Sequence, residues 1–164
     1  MIHTEYYKDG TSCECDEMQR SYHDNVEALY SETPFVKELI HGVLKTYYES
    51  GALLGESPCV NGKRHGIEKW YYESGALEYE DPYIEDKIHG TAKDYYDSGA
   101  LRWETPYVKG KEHGIQRGYC ESGALHLEIL YVNGKEHGIH KQYWESGALW
   151  VNSRKDFAVA ENFL

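Results

Sequence analysis

The chain is short of the residues from which most sites are built. It has four cysteines in 164 residues, and Cys13, Cys15, Cys59 and Cys120 follow no regular spacing. A secreted disulfide scaffold is denser in cysteine, so these are read as reduced thiols of a cytoplasmic protein. Cys13 and Cys15 could supply half of a metal site, but no second pair or histidine couple completes the usual four-ligand set. No metal or cofactor is expected. No apolar run reaches the ~18 residues of a membrane span, and no signal-peptide core is read in Met1–Gly10. Helical 3.6-residue periodicity is missing throughout. So are a nucleophile elbow, a phosphate loop and a catalytic Cys/His arrangement. Gly62-Lys63-Arg64 is a hairpin exit rather than the strand-to-helix loop of a nucleotide site. An enzyme is not expected. Positive charge is scarce too: 17 Lys and Arg face 28 Asp and Glu, for a net −11. Such a surface repels nucleic-acid phosphates and anionic membranes and attracts basic partners. Much of the excess acid lies in residues 1–33.

What the chain has instead is a repeat. Glu49–Ala52 (Glu-Ser-Gly-Ala) returns as Glu73–Ala76, Asp97–Ala100, Glu121–Ala124 and Glu145–Ala148, always 24 residues on. His-Gly keeps the same step at His41, His65, His89, His113 and His137. An unslipped period of this length signals a repeat array. In the copy Gly66–His89, Ile67–Tyr72 and Leu77–Ile84 are rich in β-favouring residues. Ser74-Gly75 and Glu85-Asp86 separate such runs, the latter standing where other copies have Asn61-Gly62, Lys109-Gly110 and Asn133-Gly134. X-Gly and Asn-Gly pairs between extended runs signal two-residue hairpin turns, since glycine supplies the positive φ that a type I′ turn demands. No stretch is long enough for a crossover. The fold class is therefore all-β: a single-layer antiparallel meander of repeated β-hairpins, elongated and twisted.

Charge sets the register. A two-residue turn at Ser74-Gly75 pairs Glu73 with Ala76, Tyr72 with Leu77, Tyr71 with Glu78, Trp70 with Tyr79 and Lys69 with Glu80. The last pair recurs as Lys45–Glu56, Lys93–Glu104 and Arg117–Glu128, with Lys141–Asn152 the exception. One face then carries Tyr47, Tyr71, Tyr95, Tyr119 and Tyr143 with the charge pairs and Val43, Ile67, Ile115 and Ile139. The other carries Tyr48/Leu53, Tyr72/Leu77, Tyr96/Leu101, Cys120/Leu125 and Trp144/Leu149. Pro34, Pro58, Pro82 and Pro106 cannot donate to a ladder, so pairing should break or bulge beside them. Leu130 replaces proline in the last copy, which should pair more fully. About ten strands are expected, some 45–50 Å of sheet by strand spacing. Residues 1–33 are expected to be a degenerate N-terminal cap, 34–153 five repeats, and 154–164 a tail covering the last edge.

The succession of His-Gly, two aromatics, Ser-Gly-Ala-Leu, Glu, Pro-Tyr-Val-Asn-Gly-Lys and His-Gly again resembles the MORN repeat, in the variant form of the bacterial YwqK-family antitoxins. Gly118–His137 reads as one such unit, and the likeness covers about residues 34–153. The resemblance implies an elongated sheet of hairpins that binds protein or lipid and carries no catalysis. Its YwqK side implies an antitoxin or immunity protein.

The repeated residues are read as structural: Gly51, Gly75, Gly99, Gly123 and Gly147 in turns, His65, His89, His113 and His137 beside them, and Tyr71, Tyr95 and Tyr119 in packing. Equivalent atoms of successive copies lie roughly 9–10 Å apart across two strands, too far for one metal ion to bridge. Function is sought where copies differ. Thr46, Trp70, Asp94, Gly118 and Gln142, opposite Gly55, Tyr79, Trp103, Leu127 and Val151, form such a column. Trp70, Tyr79 and Trp103 should make an exposed aromatic cluster beside Asp94, with Tyr72, Tyr96 and Trp144 on the same face. Aromatic rings rimmed by acids are typical anchors of protein interfaces. The expected partner is a basic toxin or effector protein. A scaffold role with self-association through edge strands is the alternative, and lipid binding a lesser one.

Overall fold

The computed structural model describes residues 4–7, 17–24 and 28–155. The Cys13/Cys15 pair, much of the expected cap and most of the expected tail lie outside them. The strands are β1 (Thr4–Tyr7), β2 (Glu17–Tyr22), β3 (Leu29–Val36), β4 (Leu39–Ile40), β5 (Gly42–Tyr47), β6 (Leu53–Val60), β7 (Lys63–Arg64), β8 (Gly66–Tyr71) and β9 (Leu77–Ile84), then β10 (Lys87–Ile88), β11 (Gly90–Tyr95), β12 (Leu101–Val108), β13 (Lys111–Glu112), β14 (Gly114–Tyr119), β15 (Leu125–Val132), β16 (Lys135–Tyr143) and β17 (Leu149–Lys155). They form one open antiparallel meander, and no helix occurs among the described residues. β4, β7, β10 and β13 are the short outer halves of strands broken at His-Gly, since each pairs with the same neighbour as its longer partner. Four of seventeen strands being such halves, thirteen positions remain, roughly 60 Å of sheet by strand spacing. The sheet is longer than expected because β1, β2 and β3 continue it on the N-terminal side.

The two turns of each copy obey different rules. At the Asn-Gly position Val60 pairs with Lys63, and both central residues are left-handed, Asn61 at φ 51° and Gly62 at φ 79°. This is the expected two-residue type I′ turn, whose twist matches that of the strands. Lys37-Glu38 and Glu85-Asp86 make the same turn without glycine, at φ 50°, 66°, 47° and 65°. The later tips are tied to the previous copy: Gly62 N–H donates to the Ile40 carbonyl at 2.8 Å, and Gly110 N–H to that of Ile88 at 2.8 Å.

The Ser-Gly turn departs from expectation. Gly75 N–H donates to the Tyr72 carbonyl at 2.8 Å, Tyr72 N–H donates to Ala76 at 2.9 Å, and Gly75 has φ 87°. The loop is three residues long, a tight turn closed by a left-handed glycine bulge. Tyr71 therefore pairs with Leu77, not with Glu78, and Tyr72 does not pair with Leu77. The same shift places Leu53, Leu101, Leu125 and Leu149 opposite Tyr47, Tyr95, Tyr119 and Tyr143. Glu78 is then skipped as an extra residue, so Trp70–Tyr79 and Lys69–Glu80 fall in the expected register. A lengthened turn and a bulge cancel, which is why charge matching could find the ladder but not the turn.

The charge pairs extend further than single hairpins. Arg20, Glu32, Lys45, Glu56, Lys69, Glu80, Lys93, Glu104, Arg117, Glu128 and Lys141 stand opposite one another from β2 to β16. Their signs alternate. Arg117 bonds both flanking carboxylates, Glu104 at 3.0 Å and Glu128 at 3.2 Å. A tyrosine hydroxyl joins each glutamate from the next copy: Tyr47 to Glu32 at 2.8 Å, Tyr95 to Glu80 at 3.0 Å, Tyr119 to Glu104 at 2.8 Å and Tyr143 to Glu128 at 2.9 Å. Tyr71 reaches Glu56 at 3.4 Å. The hydrogen bond from Lys93 holds the Glu80 carboxyl below its usual range despite burial. Burial, then Glu32, pushes the Tyr47 hydroxyl up to about 12. Single exposed pairs contribute a few tenths of a kcal/mol, but here Glu32, Glu56, Glu80, Glu104 and Glu128 each join two or three partners, and those of Glu128 come from both flanking strands.

At the His-Gly break, His65 N–H donates to the Pro58 carbonyl at 2.8 Å, and the bond recurs from His41 to Pro34, His89 to Pro82 and His113 to Pro106. The proline ring leaves no room beside the following glycine. A Cβ on Gly90, which has φ 119°, would lie 3.0 Å from the Pro82 ring. Gly138, following Leu130, has φ 73° and open space around it, and β16 runs through without a break. Pairing is fuller there, as expected of a copy without proline.

Replacing Lys37-Glu38 by Asn-Gly removes a left-handed cost at one non-glycine residue and eases it at the other. The double variant should gain about 1 kcal/mol in urea unfolding with an unchanged m-value. An unchanged midpoint would show that the turn carries no strain.

Candidate binding face

With tyrosines, glutamates and lysines engaged on one face, the other carries the residues that differ between copies. The ladder sets Ser31, Thr46, Gly55, Trp70, Tyr79, Asp94, Trp103, Gly118, Leu127, Gln142 and Val151 in one row across the sheet. Trp70, Tyr79, Asp94 and Trp103 are consecutive in it. Each tryptophan lies over a glycine of the neighbouring strand. A Cβ on Gly118 would come 2.6 Å from the Trp103 ring, and one on Gly55 would come 3.0 Å from that of Trp70. The glycines are thus spaces that let large rings lie along the sheet. Trp70 also stacks on Tyr79, with ring centres 5.9 Å apart and planes 17° apart. Trp70, Tyr79 and Trp103 are half-buried and Asp94 is exposed, so the cluster is only partly open.

Tyr72, Tyr96 and Trp144 lie at the Ser-Gly turn end. The Tyr72 hydroxyl donates to the Tyr95 carbonyl at 2.9 Å, and that of Tyr96 to the Tyr119 carbonyl at 2.8 Å. Tyr48 does the same to Tyr71 at 2.8 Å. His23 meets the Tyr47 carbonyl at 3.0 Å, and His126 meets that of Tyr143 at 3.2 Å, in the copy where Cys120 replaces the tyrosine. These contacts join each hairpin to the next. Trp144 instead packs on Trp150 with ring centres 5.1 Å apart, and both stay more than half exposed (55% and 53%).

Beside the row, toward the His-Gly break, the sheet holds a cavity of about 440 Å³ lined by Arg64, Glu68, Trp70, Tyr79, Asp81, Tyr83, Ile88, Ala92, Asp94, Thr105 and Tyr107. Ala92 is the small residue of its column; other copies place Leu44, Glu68, Gln116 and His140 there. Glu68 and Asp81 stand directly opposite each other on β8 and β9. Like charges facing across strands destabilise a sheet. Glu68 is buried and held by Ser57 and by Arg64 at 3.5 Å. Arg64 stacks 3.9 Å over the Tyr83 ring and pairs with Asp86 at 3.7 Å. Asp81 is half-buried, and burial, then the charges of Asp94 and Glu68, push its carboxyl up to about 6. Sequence reasoning found Trp70, Tyr79, Asp94 and Trp103 but missed Glu68, Asp81, Tyr83 and Tyr107. Two-residue alternation from Trp70 and Tyr79, with Lys69 against Glu80, already put Glu68 opposite Asp81.

Residues 40–61, 64–85 and 88–109 match the MORN repeat variant, three consecutive copies that include every residue lining the cavity. MORN repeats are in general a non-catalytic module that binds proteins or membranes. A search of curated proteins finds no match. Among the described residues no helix is long and apolar enough to cross a membrane, and no group of His, Cys, Asp or Glu is arranged to hold a metal ion. Cys59 and Cys120 are free thiols.

Asp81 binds a proton more tightly folded than unfolded, so its contribution to stability falls as pH rises from about 4 through about 6. Asp81→Asn should therefore stabilise the fold at pH 8, by about 1 kcal/mol after allowing for solvent screening. It should have little effect at pH 4. Equal effects in urea unfolding at both pH values would show that Asp81 is not held up by its surroundings.

Proposed function

We propose that the chain is a non-enzymatic binding module that docks a basic protein through the Trp70–Tyr79–Asp94–Trp103 row. Its role on this reading is that of an antitoxin or immunity protein, which blocks an effector by covering it. The observation that carries the reading is the division of labour between faces. One face repeats the same Tyr–Glu–Lys contacts in every copy, while the other gathers tryptophan, tyrosine and carboxylates in the middle copies only. Large rings beside acids fit a partner that brings apolar area and positive charge. The net charge of −11 adds long-range attraction for a basic protein.

A second reading, a scaffold that pairs with its own copies, is favoured by the terminal hairpin. Leu149 there is half exposed beside the open Trp144–Trp150 pair. Sedimentation at rising concentration separates the two, because self-pairing gives growing species and the first reading a monomer.

The deciding experiment is a tagged pull-down from the native host with wild type and Trp70→Ala/Trp103→Ala, read by mass spectrometry. One basic protein should be recovered in stoichiometric amount by wild type and lost by the variant, while the circular dichroism spectrum is retained. Against that purified partner, Trp103→Ala alone should cost over ~1 kcal/mol of affinity. Unchanged affinity with an unchanged fold would remove the row from the interface.

A further inference from the structure

We propose that the cavity beside Trp70 and Tyr79 is a socket for a single arginine side chain of the partner, held between Asp81 and Asp94. The proposal rests on the protein-binding reading for the source of that arginine, but the socket can be tested without the partner.

Three features of the cavity point the same way. Its size, about 440 Å³, lies within the roughly 300–1,000 Å³ of small-ligand sites. Its walls are aromatic at Trp70, Tyr79 and Tyr107, and ring faces attract cations. Its charge is unbalanced: Arg64 engages Glu68 and Asp86, at the outer end. Asp81 and Asp94 line the cavity and form no ion pair within 4.0 Å with the described residues. A positive side chain placed between them offsets the repulsion that Asp94 and Glu68 otherwise impose on Asp81.

Arg64 shows what such a side chain can do here. It lies over the Tyr83 ring at 3.9 Å and reaches a carboxylate from that position. A second guanidinium, entering from solvent, would use the same combination one step inward, with ring faces beneath it and Asp81 and Asp94 beside it. The planar fork of arginine suits two separated carboxylates better than the point charge of lysine. Ala92 at the floor leaves depth for the apolar stem. None of this is available in the copies on either side. There Ser57 and Thr105 stand at the position of Asp81, and Trp70 and Gly118 at that of Asp94.

The test titrates acetyl-arginine amide into the full chain and follows the indole N–H signal of Trp70 by NMR. Acetyl-citrulline amide, the neutral isostere, runs in parallel. Arginine should give a saturable shift in the millimolar range, with citrulline weaker by about ten-fold or more. Asp81→Asn and Asp94→Asn should each reduce arginine binding by about the same factor. Glu121→Gln, an exposed turn residue outside the cavity, should leave it unchanged. Equal binding of citrulline, no saturable shift, or full arginine binding by both aspartate variants would overturn the socket. Lysine binding as tightly as arginine would overturn its arginine preference. A partner recovered equally by wild type and the aspartate variants would also overturn it, yet leave the binding row standing. Arginine bound by the cavity with no protein partner recovered would support the socket and sink the protein-binding reading instead.

Discussion

A sheet with no second layer must hold its strands together sideways, and the bond that does so here is tyrosine to glutamate. The phenol at the end of one hairpin reaches back 15 residues to a carboxylate of the previous one, as Tyr95 does to Glu80 and Tyr119 to Glu104. That carboxylate also faces cations on both flanking strands. Few of the described residues are fully buried, Pro34 being the largest side chain among them below 2% exposure. Hydrophobic burial alone therefore cannot set the hairpin order. Alternating charge does so, because any strand shifted by one residue would send its cation to the opposite face.

Around this ladder the other repeated residues act as spacers and fasteners. The prolines stop pairing at fixed points, and the glycine after each histidine leaves room for the proline ring. At the far end, Tyr48, Tyr72 and Tyr96 tie each turn to the next. Where the tyrosine is absent, His126 bonds the same carbonyl from a different place in the hairpin. The contact is kept while the residue type is not, so the free carbonyl at the strand end is the constraint.

Because the scaffold occupies one face and the turn ends, the other face is free to differ. The cost of that freedom is visible at Glu68 and Asp81. A sheet that needs alternating charge on one side places two carboxylates opposite each other on the other side, and burial with like charge pushes one of them up to about 6. Interactions that weaken a fold without an evident return are where binding is to be sought.

The sequence by itself determined the repeat, the meander, the type I′ turns and the Lys–Glu register. All four follow from period, turn chemistry and charge within about a dozen residues. It also placed Trp70, Tyr79, Asp94 and Trp103 side by side, since strand alternation and one register suffice for that. It did not determine the three-residue turn at Ser74-Gly75, because a glycine bulge and the skipped Glu78 compensate and leave the distant pairs unchanged. Nor did it show that Tyr72 and Tyr96 spend their hydroxyls on neighbouring backbone, or that Ala92 opens a cavity between Asp81 and Asp94. Those outcomes depend on how adjacent hairpins sit against each other, a distance and an angle that a period of 24 residues does not contain.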